Sequence, residues 1–266
     1  MPEEPTPVLL EVADGVATIT FNRPAAMNSL DVATKVSLLA AVRQVADDPA
    51  VRCVVLTGTG RAFCVGQDLK EHVEILTSGA TDSLFRTVDE HYNPIVSTLV
   101  EMQKPVIAAV NGVAAGAGAS LAFACDLRIV ADTAGFNLAF ANIALSCDTG
   151  SSFTLQRLVG RARAIELLYF PRTVPADEAL ALGLATQVVP AGELTDVVTR
   201  LAGRLAAGPT VALGAMRQSL TFAADHTFAE SVENESAQMT RTGRTADHAA
   251  AVEAFLAKQQ PVFEGR

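Results

Sequence analysis

Val110-Asn111-Gly112-Val113-Ala114-Ala115-Gly116-Ala117-Gly118-Ala119-Ser120-Leu121 is the stretch that decides how this chain folds. Val106 to Val110 is an apolar run of strand length, Asn111-Gly112 a turn, and Gly116 to Cys125 a helix of small residues. A second corner of this kind, Phe63-Cys64-Val65-Gly66-Gln67-Asp68-Leu69, lies upstream. A glycine-rich corner lets the backbone approach a ligand closely. A helix start adds unpaired N–H groups and the positive end of a dipole. Two such N–H groups converging on one oxygen make an oxyanion hole, worth about 3–4 kcal/mol per donor toward an enolate or alkoxide. The same glycines also serve close helix–strand packing, which says nothing about chemistry.

Around the corners, residues 8–13 and 16–21 alternate about Asp14-Gly15, the signature of a two-residue hairpin. Val32, Val36, Leu39, Val42 and Val45 recur at helical spacing between Asp31 and Asp47. Cys53 to Leu56, Phe63 to Gly66 and Leu127 to Val130 read as short strands. Leu84, Phe85, Val88, Tyr92, Ile95 and Leu99 predict a helix over 82–103, reset at Pro94. Strands alternating with helices imply an α/β fold with a mostly parallel sheet. Beyond residue 150 the pattern is nearly all helical: 151–159, 161–169, 176–182, 192–207, 210–223, 227–241 and 246–258. Gly160, Gly183, Gly208 and Gly243 act as terminators. The expected organisation is a core over 1–200 and a helical region over 201–266.

Half of the 266 residues are apolar, enough for a sizeable core. A net charge of −9 and a pI near 4.9 argue against nucleic acid or an anionic membrane as partner. A phosphate-bearing ligand must then meet local cations, and the lysines are few: Lys35, Lys70, Lys104 and Lys258. Cys53, Cys64, Cys125 and Cys147 form no CxxC pair and read as reduced thiols of a cytoplasmic protein. His72, His91, His226 and His248 lack metal-ligand spacing, so no metal is expected. Met1-Pro2-Glu3-Glu4-Pro5 lacks the basic start of a secretory signal. Pro105 to Cys125 is uncharged, but its Ala and Gly content, with Asn111 and Ser120 inside, argues against a membrane span.

A dinucleotide fingerprint fails because Leu121 stands where its last glycine belongs. A serine-hydrolase elbow fails at Gly118-Ala119-Ser120-Leu121-Ala122, which lacks the second glycine. The ordered motifs instead resemble the crotonase superfamily of enoyl-CoA hydratases and isomerases. They are Phe21-Asn22-Arg23-Pro24-Ala25-Ala26-Met27-Asn28-Ser29-Leu30, Asp48-Pro49-Ala50-Val51-Arg52-Cys53-Val54-Val55-Leu56-Thr57-Gly58, the two corners, Cys125-Asp126-Leu127-Arg128-Ile129-Val130-Ala131 and Phe255-Leu256-Ala257-Lys258. The likeness runs over nearly the whole chain. It implies a ClpP/crotonase-like spiral of ββα units with a C-terminal helical trimerisation region, assembled as a homotrimer or a dimer of trimers. It also implies a coenzyme A thioester as substrate, so no separate cofactor is expected.

Carried over by motif position, the resemblance assigns the N–H groups of Val65 and Ala117 as oxyanion donors. It places substrate contacts at Met27, along Cys64, Gly66, Gln67, Asp68 and Leu69, and at Gly116 and Phe140. Phe255 and Lys258 match a pair at the nucleotide end of coenzyme A; Lys258 reads equally well as a solvated lysine at a helix end. Hydratases of the family use two glutamates, to activate water and to protonate the α-carbon. Ser120 and Phe140 stand at those positions.

What remains is Asp148 in Ser146-Cys147-Asp148-Thr149-Gly150-Ser151-Ser152. This segment resembles the Pro-Asp-x-Gly-Gly loop of the isomerase branch that includes ring-epoxide phenylacetyl-CoA isomerases, with Cys147 for the proline and Ser151 for the second glycine. One carboxylate can take a proton from one carbon and return it to another, so one base suffices for a double-bond shift. Apolar neighbours would raise its pKa, as a base that must become an acid requires. The competing role is a cap for the helix starting near Gly150. His72, Glu74 and Tyr92 flank the site and read first as packing or surface residues. The sequence thus points to an enoyl-CoA isomerase-type enzyme with Asp148 as proton shuttle. The alternatives are an enoyl-CoA hydratase of fatty-acid or aromatic-acid degradation with a different base, and a non-catalytic acyl-CoA binder.

Overall fold

A computed structural model of the chain describes residues 6–79 and 85–266. Strands β1 (Val8–Ala13) and β2 (Val16–Phe21) pair antiparallel about Asp14-Gly15, where both residues have positive φ. β3 (Cys53–Gly58) joins β2 in parallel, and β4 (Ala62–Cys64) turns off into a second sheet. The step repeats with β5 (Val106–Val110) and β6 (Val113–Ala115), then with β7 (Leu127–Ala131) and β8 (Gly135–Asn137). β9 (Thr173–Pro175) and β10 (Gln187–Val189) complete a four-stranded sheet ordered β4-β6-β8-β9 and a six-stranded sheet ordered β1-β2-β3-β5-β7-β10. β5 is buried at every residue, as a central parallel strand covered on both faces must be.

Helices close each turn of this ββα spiral. α1 (Val32–Asp47) follows the hairpin, and α2 (Leu69–Thr77) and α3 (Asn93–Glu101) follow β4. α4 (Ala117–Ala124) follows β6, and α5 (Ser151–Tyr169) follows β8. Two glycines stitch successive turns together. A Cβ on Gly118 would lie 2.0 Å from the Cys64 carbonyl oxygen, and one on Gly112 would lie 2.1 Å from that of Arg61.

The remaining helices are α6 (Ala176–Leu182), α7 (Leu194–Ala206), α8 (Thr210–Ala223), α9 (Phe228–Thr242) and α10 (Ala246–Ala257). The chain end folds back: the buried Asp247 carboxylate accepts from the Glu264 and Gly265 N–H groups, and Arg52 donates to the Phe263 carbonyl. Among the described residues no helix is long and apolar enough to cross a membrane.

Several expectations need correction. The buried face of α1 is Thr34, Lys35, Leu38, Ala41, Val42 and Val45, whereas Val32 and Val36 are exposed. Hydropathy misplaces the face because Lys35 is fully buried, its ammonium donating to Thr87 Oγ1 at 2.7 Å and Gln67 Oε1 at 3.2 Å. The helix expected over 82–103 is present as a continuous helical run over residues 85–101, but with a π-helical turn at Val88–Tyr92 before α3 and Pro94 in the first turn of α3. Leu84 and Met1 to Pro5 lie outside the described residues. The helices expected at 151–159 and 161–169 are one element, kinked where Gly160 takes φ 75° and ψ 156°. β9 and β10 interrupt the expected all-helical half. The boundary at residue 200 falls inside α7, whose Leu194, Val198, Ala202 and Ala206 are buried against the six-stranded sheet.

Candidate active site

The two corners form one wall of a pocket of about 830 Å³, lined among others by Val65, Gly116, Ala117, Phe140 and Asp148. Gly116 (φ 50°, ψ −125°) opens α4, so the Ala117 N–H is the first of the helix and has no intrahelical acceptor. Gly66, at φ +82°, lies against it; a Cβ there would come within 2.8 Å of the Ala115 carbonyl and 3.2 Å of the Ala117 nitrogen. Among the described residues neither the Val65 nor the Ala117 N–H donates to a backbone acceptor. Leu30 fixes the first corner, donating to the Gly66 carbonyl at 2.8 Å and accepting from the Asp68 N–H at 3.1 Å. Among the described residues, both the Val65 and the Ala117 N–H groups on the wall are thus without a hydrogen-bond acceptor.

Among the described residues two carboxylates line the pocket, Asp68 and Asp148. Asp68 caps α2 and takes bonds from Arg23 and Ser29, each at 2.9 Å. Burial opposes its charge, but these bonds and the Lys70 and Glu71 N–H groups hold its carboxyl below the usual carboxylate value. Asp148 differs. It has no basic partner among the described residues, and its Oδ1 accepts from Thr149 Oγ1 at 2.9 Å. Burial pushes its pKa up, opposed by the Thr149 bond. The N-cap of α5 is Gly150, without a side-chain cap, so Asp148 does not cap the helix.

Phe140 sits on a 3-10 turn (Ala139–Ile143) and lines the pocket. Ser120 has no exposed surface; it donates to the Gly116 carbonyl and is hydrogen-bonded to Ser151. A nucleophilic role for Ser120 has no access route. Tyr92 lines the pocket and donates to Gln67 Oε1 at 2.7 Å, its phenol pushed well above 10 by burial and then by the Asp148 charge. His72 also lines it, edge-on to Phe85, while Glu74 is not among the lining residues.

Of the other expected contacts, Met27, Gln67, Asp68 and Leu69 line the pocket. Cys64 does not: its side chain is buried in the core, its thiol pushed up to about 12, and its carbonyl meets Gly118. Gly66 contributes close packing rather than lining. Phe255 and Lys258 are also outside the pocket, on α10 and at its C-cap, with Phe255 81% exposed. Motif position says nothing about where the folded-back tail directs them. Of two further basic side chains at the pocket, Arg61 escaped the sequence reading and Lys70 entered it only as one of four lysines, with no place at the site. Neither has an ion-pair partner among the described residues, unlike Arg23, which pairs with Asp31 and Asp68. Lys70 directly follows the first corner, which was the available signal. Among the described residues no cluster of His, Cys, Asp and Glu is arranged to hold a metal.

The site is thus a largely apolar pocket at the two glycine corners of a two-sheet ββα spiral. The chain belongs to the enoyl-CoA hydratase/isomerase family, whose profile matches residues 11–266. It is 40% identical over 259 residues to 1,2-epoxyphenylacetyl-CoA isomerase of Escherichia coli (strain K12), covering 97% of this chain and 98% of that protein. It is 33% identical over 260 residues to (E)-benzylidenesuccinyl-CoA hydratase of Thauera aromatica, covering 97% and 99%. Among solved structures, an enoyl-CoA hydratase from Polaromonas sp. JS666 matches with a TM-score of 0.90 and 30% identity, over 97% of this chain and 99% of that one. Isomerases and hydratases both occur among the relatives, so family membership alone does not choose the reaction.

Proposed function

We propose that the protein shifts the double bond of an enoyl-CoA thioester, with Asp148 as the single proton shuttle. The observation that carries this reading is the inequality of Asp68 and Asp148 in the pocket: Asp68 is engaged by Arg23 and Ser29, and among the described residues Asp148 has no cation beside it. The thioester oxygen sits against the Val65 and Ala117 N–H groups, which stabilise the enolate formed when Asp148 removes the α-proton. Asp148 then returns the proton further along the chain. Hydration needs a second group to activate water, and neither Ser120 nor Phe140 supplies one. The aromatic and aliphatic lining (Phe85, Val88, Phe140, Ile143, Leu145) suits a bulky apolar acyl group, in keeping with the ring-bearing acyl groups in both relatives' names.

Product analysis on a 3-enoyl-CoA and on crotonyl-CoA tests the reading. Conjugation of the first, without water addition to the second, is expected. Faster hydration of crotonyl-CoA would replace the isomerase by a hydratase, and turnover of neither would leave an acyl-CoA binder.

Arg61 and Lys70 would meet the phosphates of coenzyme A at the pocket mouth, giving an acidic protein its local cations. Replacing both by glutamine should raise KM for a CoA thioester about tenfold, each exposed contact being worth up to about 1 kcal/mol. KM for the corresponding pantetheine thioester, which lacks the nucleotide, should stay within about twofold; an equal rise for both compounds would place the phosphates elsewhere.

Met216, Leu220, Met239, Phe255 and Leu256 are exposed on α8, α9 and α10, an apolar surface that a second copy would cover. The reading is a homotrimer or dimer of trimers in the cytoplasm, consistent with free Cys53, Cys64, Cys125 and Cys147. Light scattering should give three or six times the 27.8 kDa chain mass; a monomer at micromolar concentration would rule this out.

A further inference from the structure

Thr149 lies between Asp148 and α5 and is 1% exposed. Its φ of +52° is in the left-handed region, and Gly150 follows at +77°. Glycine adopts that region freely, whereas a β-branched residue does so under strain, which persists only where the surroundings impose it. The Thr149 hydroxyl donates to Asp148 Oδ1 at 2.9 Å. Among the described residues no other side chain donates to either oxygen of that carboxylate. Two successive left-handed residues turn the chain so that Asp148 lines the pocket while the Ser151 N–H returns to its carbonyl at 3.0 Å.

We propose that Thr149 is a positioning residue that fixes Oδ1 of Asp148 and leaves Oδ2 as the oxygen that carries the proton. This rests on the proton-shuttle reading and deepens it. In the first step the substrate C2–H bond breaks and an Oδ2–H bond forms, the electron pair entering the thioester as a dienolate. The Oδ2–H bond then breaks as a C4–H bond forms, and the carboxylate is restored. A carboxyl held at one oxygen does not turn between the two events, so the proton leaves and returns on one side. The hydroxyl also favours the charged carboxylate, opposing the burial that disfavours it. Tyr92 approaches from the π-helical turn with its proton committed to Gln67. His72 lines the pocket from α2, and Asp68 is engaged by Arg23; none of the three donates to Asp148 among the described residues.

Thr149→Val keeps the branched shape and removes the hydroxyl, while Thr149→Ser keeps the hydroxyl and removes the methyl. Thr149→Val should lower kcat on a 3-enoyl-CoA about tenfold, the scale of a hydrogen bond to a charged group, with KM within about twofold. Its acidic limb of kcat/KM should move to higher pH, and less deuterium should pass from C2 to C4. Thr149→Ser should keep kcat within about threefold and leave the limb in place. Wild-type kcat and an unmoved limb in Thr149→Val would overturn the proposal, as would equal losses in both variants with matching falls in Tm. If Thr149→Val does not fold, Thr149→Ala against Thr149→Ser isolates the hydroxyl in the same way. Asp148→Asn, run beside them, separates the two claims: an active Asp148→Asn removes the shuttle itself. An inactive one with a normal Thr149→Val removes only the role of Thr149.

Discussion

Asp148→Asn should lower turnover of a 3-enoyl-CoA by about 10²–10⁴-fold, the usual worth of a positioned acid/base. The amide fills the same space but accepts no proton, so thioester affinity should stay near its original value. The acidic limb of the wild-type kcat/KM profile should lie above the ordinary carboxylate value of 3.8, because burial raises Asp148, and should vanish in the variant. Stability moves the other way. A carboxyl whose folded pKa exceeds its unfolded one binds more protons when folded, so stability falls as pH rises through that window. Above it the folded protein bears the full cost of the buried charge, which the amide removes. Since Asp148 does not cap α5, Tm at pH 7 should not drop. Near-wild-type turnover would end the shuttle mechanism and move the search for a base to His72 and Tyr92.

Ala117→Pro should lower turnover about a hundredfold or more by deleting one of the two proposed oxyanion donors, a loss of about 2.7–4 kcal/mol. Proline is tolerated at the first position of a helix, where the missing N–H has no intrahelical partner, so α4 should form. Ala117→Gly retains the N–H and should do far less damage. Steady-state kinetics on the pair decides the matter: equal losses would show that the local fold of the corner, not the donor, was removed.

The elements that speak through glycine or through unbroken apolarity were legible in the sequence. Asp14-Gly15 announced the hairpin, β5 its burial, and the two corners their place at the site. The face of α1 was not, because Lys35 is stabilised inside by Thr87 and Gln67, partners 52 and 32 residues away. The three-residue strands β6, β8, β9 and β10 are held by backbone pairing and leave almost no side-chain period to read. Asp148 could be nominated from the sequence, but whether it caps a helix or faces a pocket depends on the left-handed turn at Thr149-Gly150. The positions of Phe255 and Lys258 were not legible for a related reason, since the hydrogen bonds of Asp247 and Arg52 to the tail set where the chain end goes.

The contact between Gly118 and the Cys64 carbonyl has a consequence for the gene. Every single-base change in a glycine codon that alters the amino acid introduces a Cβ or a stop. At codon 118 any such Cβ is driven to 2.0 Å from a backbone oxygen, which has no rotamer to escape into. On the proposed mechanism codon 65 is the opposite case, because that mechanism uses only the backbone of Val65 and almost any replacement but proline preserves the donor. In a library of random variants selected for activity, codon 118 should therefore appear almost frozen while codon 65, a few ångströms away, drifts.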